Sequence, residues 1–326
     1  MGFPKKFGVF TLIAKIFISI ALLWSLISSL ALDAAYSGLT NIQMEYFLMA
    51  LLVIGLQFLV AAYRQYAMLS LWGVRIGARQ SIETLLIGAF FSNSVITFIG
   101  GDAMRVWRLL RLGHGFRRIV SAVVTDRIIG FAAIVVLVSV LLPHTLEIVT
   151  DPVSRWSVRI LAFGGIAGIA CYVFVGFFPI EFSRIAYIGA LVEFATSSRQ
   201  LIRHPRMGAY SLFTGAAMHV LNVLGVYFLC VGLSLDLKIL DAFILVPPVL
   251  FISMLPISIA GWGVREGAMA VALGFVFIPP EGAVTASIAF GVIHLAIGLI
   301  GGPIWFFSRA QEPVRQSVGE MPDQNA

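Results

Sequence analysis

Two short runs place glycine beside charged residues within strongly apolar stretches, which is the composition of a buried polar site. The first is Ile99-Gly100-Gly101-Asp102-Ala103-Met104-Arg105, and the second is Gly261-Trp262-Gly263-Val264-Arg265-Glu266. An ionisable side chain at bilayer depth costs about 2.5–3.5 kcal/mol, so it usually faces a cavity or a partner and is a functional candidate. One such run in each half of the chain indicates a membrane protein with an internal duplication and a functional site, rather than a simple membrane anchor.

The residue types of the first run suit an anion. Gly100 and Gly101 permit a tight turn, and Asp102 is predicted to cap the helix that follows. The N-terminus of a helix attracts phosphate, and the guanidinium of Arg105 can bind phosphate through two parallel hydrogen bonds. This run therefore predicts an anion site at the start of a helix.

The second run predicts a loosened backbone before Arg265 and Glu266, which would then begin a new helix. A guanidinium at this depth needs a counter-charge, which Glu266 or the distant Asp126 can supply. Asp126 and Arg127 begin a later apolar segment and fit an interhelical tie as well as a site. Four further arginines are more typical of cytoplasmic topology signals: Arg108, Arg111, Arg117 and Arg118.

Composition sets the class of protein. Of 326 residues, 60% are hydrophobic and 12% are charged, and the mean hydropathy is +0.98. These values exclude a soluble domain and predict an all-α polytopic membrane protein. The net charge of +6 reflects orientation and contact with anionic lipid rather than nucleic acid. Cys171 and Cys230 lie in apolar runs and are interpreted as small core residues, with no disulfide and no metal site.

Windows of about 20 apolar residues predict six full spans and two broken, re-entrant segments. The full spans are 8–31, 44–63, 119–142, 157–178, 207–232 and 282–307, and the broken segments are 81–101 and 241–278. The broken segments occupy corresponding positions in two halves, about 1–142 and 157–308, which predicts inverted repeats. An amphipathic helix over 181–204 is expected in the membrane interface, and a disordered cytoplasmic tail over 309–326.

The distribution of lysine and arginine predicts the orientation of the chain. Lys5 and Lys6 place the N-terminus in the cytoplasm, and Arg64 is assigned to a cytoplasmic end. Segment 81–101 then has both ends in the cytoplasm, and 241–280 begins and ends outside. Loop 143–159, which carries two arginines, runs against this assignment.

Several motifs together resemble the lysylphosphatidylglycerol synthase transmembrane (flippase-like) family. They are Asn93, Ile99-Gly100-Gly101-Asp102-x-x-Arg105, Thr125-Asp126-Arg127-Ile128-Ile129-Gly130, and Leu255 to Gly267 with its Gly-Trp-Gly-Val-Arg-Glu core. The resemblance covers nearly the whole chain. It departs from the family at Ile96-Thr97-Phe98, where the family usually has Leu-Pro-Gly. The aminoacyl-transfer domain of full-length synthases is also missing, so synthesis of aminoacyl-lipid is not expected.

The resemblance implies movement of a lipid between leaflets of a bacterial-type inner membrane, with both termini in the cytoplasm. The expected substrate has an anionic phosphate head, as in a phospholipid, a polyprenyl-linked glycan or a hopanoid-related lipid. Arg105 and Arg265 would hold the head group. The other candidate site residues are Asn93, Asp102, Asp126, Arg127 and Glu266. No cofactor is expected.

Two alternatives remain open from the sequence. One is a non-transporting scaffold for envelope-lipid enzymes, and the other is an intramembrane enzyme acting on lipid-linked sugars. Transport predicts polar groups around a cavity near mid-membrane, a scaffold predicts paired charges without a cavity, and an enzyme needs a nucleophile or base beside them. His219 and His294 lie in apolar spans and are more typical of interhelical hydrogen-bond donors than of a proton relay.

Overall fold

The computed structural model describes residues 41–94, 98–177, 194–196, 198–201, 203–255, 257–258 and 260–311. Ten longer α-helices lie within these ranges. They are α1 (Met44–Leu71), α2 (Ala78–Ser94), α3 (Phe98–Arg111), α4 (Phe116–Ile148), α5 (Pro152–Val175), α6 (Pro205–Gly232), α7 (Ile239–Met254), α8 (Val264–Gly274), α9 (Pro280–Leu299) and α10 (Gly301–Gln311). The chain is an all-α polytopic membrane protein.

Five stretches are long and apolar enough to cross a membrane: α1, α4, α5, α6 and Pro280–Ser308, which joins α9 to α10. They coincide with five of the six predicted full spans. The first predicted span, 8–31, and most of the predicted interfacial helix over 181–204 lie outside the described residues. Helix α10 continues to Gln311, so the tail predicted from residue 309 begins with helix.

Both predicted breaks separate a pair of helices. In the second half, α7 ends at Met254 and α8 begins at Val264. Ala260, Gly261 and Gly263 between them have φ values of 50°, 79° and 83°. A right-handed helix cannot continue through such values. The backbone before Arg265 is therefore unwound and restarts as a helix, as the sequence predicts.

The first break differs from the prediction in its position. Helix α3 begins at Phe98, so Asp102 lies inside the helix and is not its cap. Gly101 is helical as well, and a Cβ atom there would overlap the Ser92 side chain and the Gly88 carbonyl of α2. The glycine therefore serves close packing of α3 on α2 rather than a turn.

Helices α1 and α6 pack antiparallel along their whole length. The Gln43 backbone N–H, just before α1, donates to the Gly232 carbonyl at the end of α6 over 2.9 Å. Near the other end of the pair, the Ser211 hydroxyl donates to the Met68 sulfur over 3.2 Å. The first residues of one helix thus meet the last residues of the other.

The packing of α1–α4 has a counterpart in α6–α9. Helix α2 packs on α9 as α7 packs on α4, and the contacts α1–α2, α2–α3 and α3–α4 correspond to α6–α7, α7–α8 and α8–α9. Because the leading helices α1 and α6 are antiparallel, the two four-helix units are related by inversion. This arrangement agrees with inverted repeats.

Candidate functional site

A cavity of about 350 Å³ lies between the two four-helix units. Its wall includes residues from all eight helices, α1–α4 and α6–α9, and from the loop before α8. Gln57 and His219, which line it, stand half-way along α1 and α6. Since both helices are long enough to span a bilayer, the cavity reaches mid-membrane depth.

Guanidinium groups dominate the charge of this wall. Four arginines line the cavity, namely Arg64, Arg105, Arg127 and Arg265, together with one carboxylate, Asp126. Asp102 and Glu266 contact these arginines from behind the wall. Four guanidinium groups against three carboxylates leave one positive charge in excess, which favours an anionic ligand.

Asp126 of α4 is the centre of the first-half network. Arg105 Nη2 of α3 donates to Asp126 Oδ2 over 3.2 Å. Arg64 Nε of α1 lies 2.9 Å from Asp126 Oδ1, but its N–H does not point at that oxygen, so the contact is an ion pair only. Gln65 accepts a further bond of 2.7 Å from Arg105 Nε. One carboxylate therefore ties three helices together.

Asp102 extends the network within α3 and to α4. It accepts from Arg105 Nη1 over 3.0 Å and from Arg127 through two bonds, of 2.6 Å from Nε and 2.9 Å from Nη2. The two-bond pairing fixes the plane of the Arg127 guanidinium. Asp102 thus holds two of the four cavity arginines in place.

The second-half cluster is compact. Arg265 Nη2 donates to Glu266 Oε1 over 2.6 Å, and Ser287 of α9 donates to the same oxygen over 3.0 Å. The other oxygen, Glu266 Oε2, accepts from the Gly263 backbone N–H over 2.6 Å. Glu266 thereby satisfies the first turn of α8 and balances Arg265 at once.

Aromatic rings enclose the Arg265 guanidinium. Its carbon lies 4.9 Å from the centre of the Trp262 ring and 5.6 Å from that of Phe290. A Cβ atom on Gly291 of α9 would overlap the guanidinium and lie 2.8 Å from the Trp262 ring. The absence of a side chain at Gly291 therefore makes room for Arg265.

The structure corrects two arginine assignments. Arg64 was expected at a cytoplasmic end, but it is buried within α1 and lines the cavity. Arg108 was expected as a topology signal, but it is buried and lies 3.5 Å from Glu83. In both cases the carboxylate partner is distant in sequence, so no local pattern showed the pairing. Arg118 is exposed, as predicted.

The remaining candidates are placed as follows. Asn93 lies on α2, but its side chain is outside the described part of the chain. His219 Nε2 of α6 lies 3.0 Å from the Gly130 carbonyl of α4, which fits the predicted interhelical bond. His294 Nδ1 bonds the Phe290 carbonyl of its own helix. Cys230 is buried, as predicted, but Cys171 is exposed, so its interpretation as a core residue is wrong.

Comparison with known families identifies a match over most of the chain. The profile described as the lysylphosphatidylglycerol synthase TM region matches residues 12–302. No curated protein matches the chain. The profile match includes the two broken segments and every arginine of the cavity wall. The chain therefore belongs to the lysylphosphatidylglycerol synthase TM-region family.

Proposed function

We propose that this protein moves a lipid with an anionic, phosphate-bearing head group from one leaflet to the other. The observation that carries the proposal is the cavity itself. It lies at mid-membrane depth between two inverted units, and its wall holds four guanidinium groups with one positive charge in excess. The scaffold alternative predicts paired charges without a cavity, so the cavity favours transport over it. Family membership adds a link to lipid handling.

Arg265 is the arginine best placed to exchange its partner for a phosphate. If its guanidinium turns toward a lipid phosphate, Glu266 keeps the Gly263 N–H on one oxygen and Ser287 on the other. The carboxylate would therefore keep two hydrogen bonds, which lowers the cost of leaving its buried charge without Arg265. A cavity of about 350 Å³ suits a head group, while the acyl chains stay in the bilayer.

The experiment is a leaflet-resolved transport assay in reconstituted vesicles. Phosphatidylglycerol with a fluorescent tail label is added to the outer leaflet of the vesicles. Dithionite, which stays outside, then destroys the fluorescence of the label that remains in the outer leaflet, so the fraction lost at each time gives the outer-leaflet share. The proposal expects translocation faster than in protein-free vesicles and recovery of chemically unchanged lipid by mass spectrometry. Translocation at the protein-free rate contradicts transport, and a modified lipid would indicate an enzyme.

The proposal includes an inner-membrane location with both termini in the cytoplasm. Arg118 is exposed near the α1–α2 loop, and Phe277, 97% exposed, lies in the α8–α9 loop at the opposite end of the bundle. In a cysteine-free background, Arg118→Cys should react with an impermeant maleimide only from the cytoplasmic side, and Phe277→Cys only from outside. The reverse pattern contradicts this orientation.

A further inference from the structure

Helices α4 and α9 hold corresponding places in the two four-helix units, and each presents a polar side chain to the arginine of the preceding helix. Asp126 of α4 accepts from Arg105 of α3, and Ser287 of α9 accepts from Arg265 Nε of α8 over 3.0 Å. In both helices the residue one turn later is a glycine beside a guanidinium: Gly130 and Gly291. The second unit therefore has a neutral hydroxyl where the first unit has a carboxylate.

The Ser287 hydroxyl holds both charged members of the second cluster. Its oxygen accepts from Arg265 Nε, and it donates to Glu266 Oε1 over 3.0 Å. Arg265 Nη2 donates to the same carboxylate oxygen over 2.6 Å, so arginine, glutamate and serine close a ring of hydrogen bonds. Ser287 and Glu266 are both 0% exposed, so solvent does not reach them. The ring fixes the plane of the Arg265 guanidinium, which lines the cavity.

The charge of the residue on the facing helix determines how firmly each arginine is held. A carboxylate attracts a guanidinium by its negative charge in addition to the hydrogen bond, whereas a hydroxyl offers the hydrogen bond alone. Asp126 therefore holds Arg105 to α4 by charge, while α9 holds Arg265 through the neutral Ser287. The negative charge that balances Arg265 comes from its own helix, through Glu266. When Arg265 leaves α9, no pair of opposite charges on two helices has to separate.

Building on the proposed transport function, we propose that Ser287 positions Arg265 for the lipid phosphate without locking it to α9. The hydroxyl orients the guanidinium in the cavity wall, and it stays bonded to Glu266 when the guanidinium turns to the phosphate. A carboxylate in its place would hold Arg265 to α9 as Asp126 holds Arg105 to α4. Because Ser287 is fully buried, it acts through its two partners and does not touch the lipid.

The first test removes the hydroxyl and measures transport of tail-labelled phosphatidylglycerol at increasing mole fractions of this lipid. Ser287→Ala should raise the half-saturating mole fraction about fivefold, as expected for the loss of one hydrogen bond, and should keep the maximal rate. Thr285→Val is the matched control, because it removes another buried α9 hydroxyl, one that bonds the Glu281 carbonyl of the same helix. The control should change neither value. Equal half-saturating fractions in the two variants overturn the positioning role.

The second test moves the negative charge from α8 to α9. Combining Ser287→Asp with Glu266→Gln leaves the total charge unchanged and places the carboxylate where Asp126 stands in the first unit. The double variant should unfold near the wild-type temperature, and its maximal rate should fall about tenfold, because Arg265 is now paired across two helices.

A wild-type maximal rate in the double variant overturns the claim that a neutral residue is needed to release Arg265. If the double variant unfolds early on heating, the comparison of Ser287→Ala with Thr285→Val decides. Transport by the wild-type protein at the protein-free rate overturns the transport function itself, whatever the variants do. A wild-type protein that transports, with both variants unchanged, overturns only the role of Ser287.

Discussion

The two four-helix units share one packing arrangement, but they use their charges differently. In the first, Asp126 of α4 bonds or pairs with Arg105 of α3 and Arg64 of α1, so the charges join three helices. In the second, Arg265 and Glu266 are neighbours on α8, and the cluster reaches α9 through the hydroxyl of Ser287. The first network connects helices, whereas the second is local.

Because of this difference, we expect the first network mainly to stabilise the fold and the second cluster mainly to serve transport. Removing a partner from the first network leaves guanidinium groups from different helices uncompensated, and the helices lose their tie. In the second cluster Glu266 keeps other partners when Arg265 moves. We therefore expect the first unit to hold the bundle together and the second to supply the arginine that changes partners.

The largest effect on stability is expected for Asp126→Asn. An amide cannot balance the buried charges of Arg64 and Arg105, so the free energy of unfolding should fall by about 3–5 kcal/mol. Thermal unfolding in detergent measures the change. Unfolding at the wild-type temperature would show that the first network does not hold the helices.

Gly291→Ala should chiefly reduce transport. The added methyl overlaps the Arg265 guanidinium and crowds the Trp262 ring, so the arginine is displaced while the Asp126 network is untouched. We expect the transport rate to fall about tenfold, which corresponds to about 1.4 kcal/mol. Gly164→Ala adds the same methyl to open space on α5 and is the matched control. Equal rates in the two variants would contradict the role given to Arg265.

Gly215→Ala should have an intermediate effect on stability. Its Cβ would lie 3.0 Å from Arg64 Nη1 and 2.9 Å from Ala133 Cβ, which crowds the α4–α6 contact. Overpacking of this kind costs about 1–3 kcal/mol. The midpoint of thermal unfolding should drop below that of Gly168→Ala, where the methyl meets no neighbour. Identical midpoints would show that Arg64 and Ala133 can move aside for the added methyl group without loss of stability.

The smallest effect is expected for Arg79→Ala. Arg79 pairs with Glu83 at 2.8 Å, but its side chain is 92% exposed. Exposed pairs along a helix contribute about 0.3–0.5 kcal/mol. Chemical unfolding should therefore barely distinguish this variant from wild type. A loss of unfolding free energy as large as that of Asp126→Asn would show that burial does not determine how much an ion pair stabilises this protein.

The sequence predicts the five spans that the structure describes and the presence of two helix breaks, because a window of 20 residues shows where apolar side chains are continuous and where they are interrupted. It also identifies Arg105 and Arg265, because charge is costly in such a window. Both arginines line the cavity of the structure.

Ion pairs between residues on different helices cannot be predicted from a short stretch of sequence. Arg64 and Asp126 are far apart in the chain, and only the packing of α1 against α4 brings them within 2.9 Å. The prediction of a tight turn at Gly101 is wrong for the same reason, since its neighbours Gly88 and Ser92 lie on another helix. His219 was recognised as a hydrogen-bond donor, but its acceptor, the Gly130 carbonyl, lies on another helix, α4.

The most direct test of the account is transport of tail-labelled phosphatidylglycerol by Arg265→Gln in reconstituted vesicles. Glutamine keeps polar contacts but removes the charge that binds the phosphate, and Arg265→Lys cannot reproduce the two-bond geometry of a guanidinium. Both variants should unfold near the wild-type temperature and transport at the protein-free rate, while Arg118→Ala transports like wild type. Wild-type transport by Arg265→Gln would contradict the account and leave Arg265 as a structural tie.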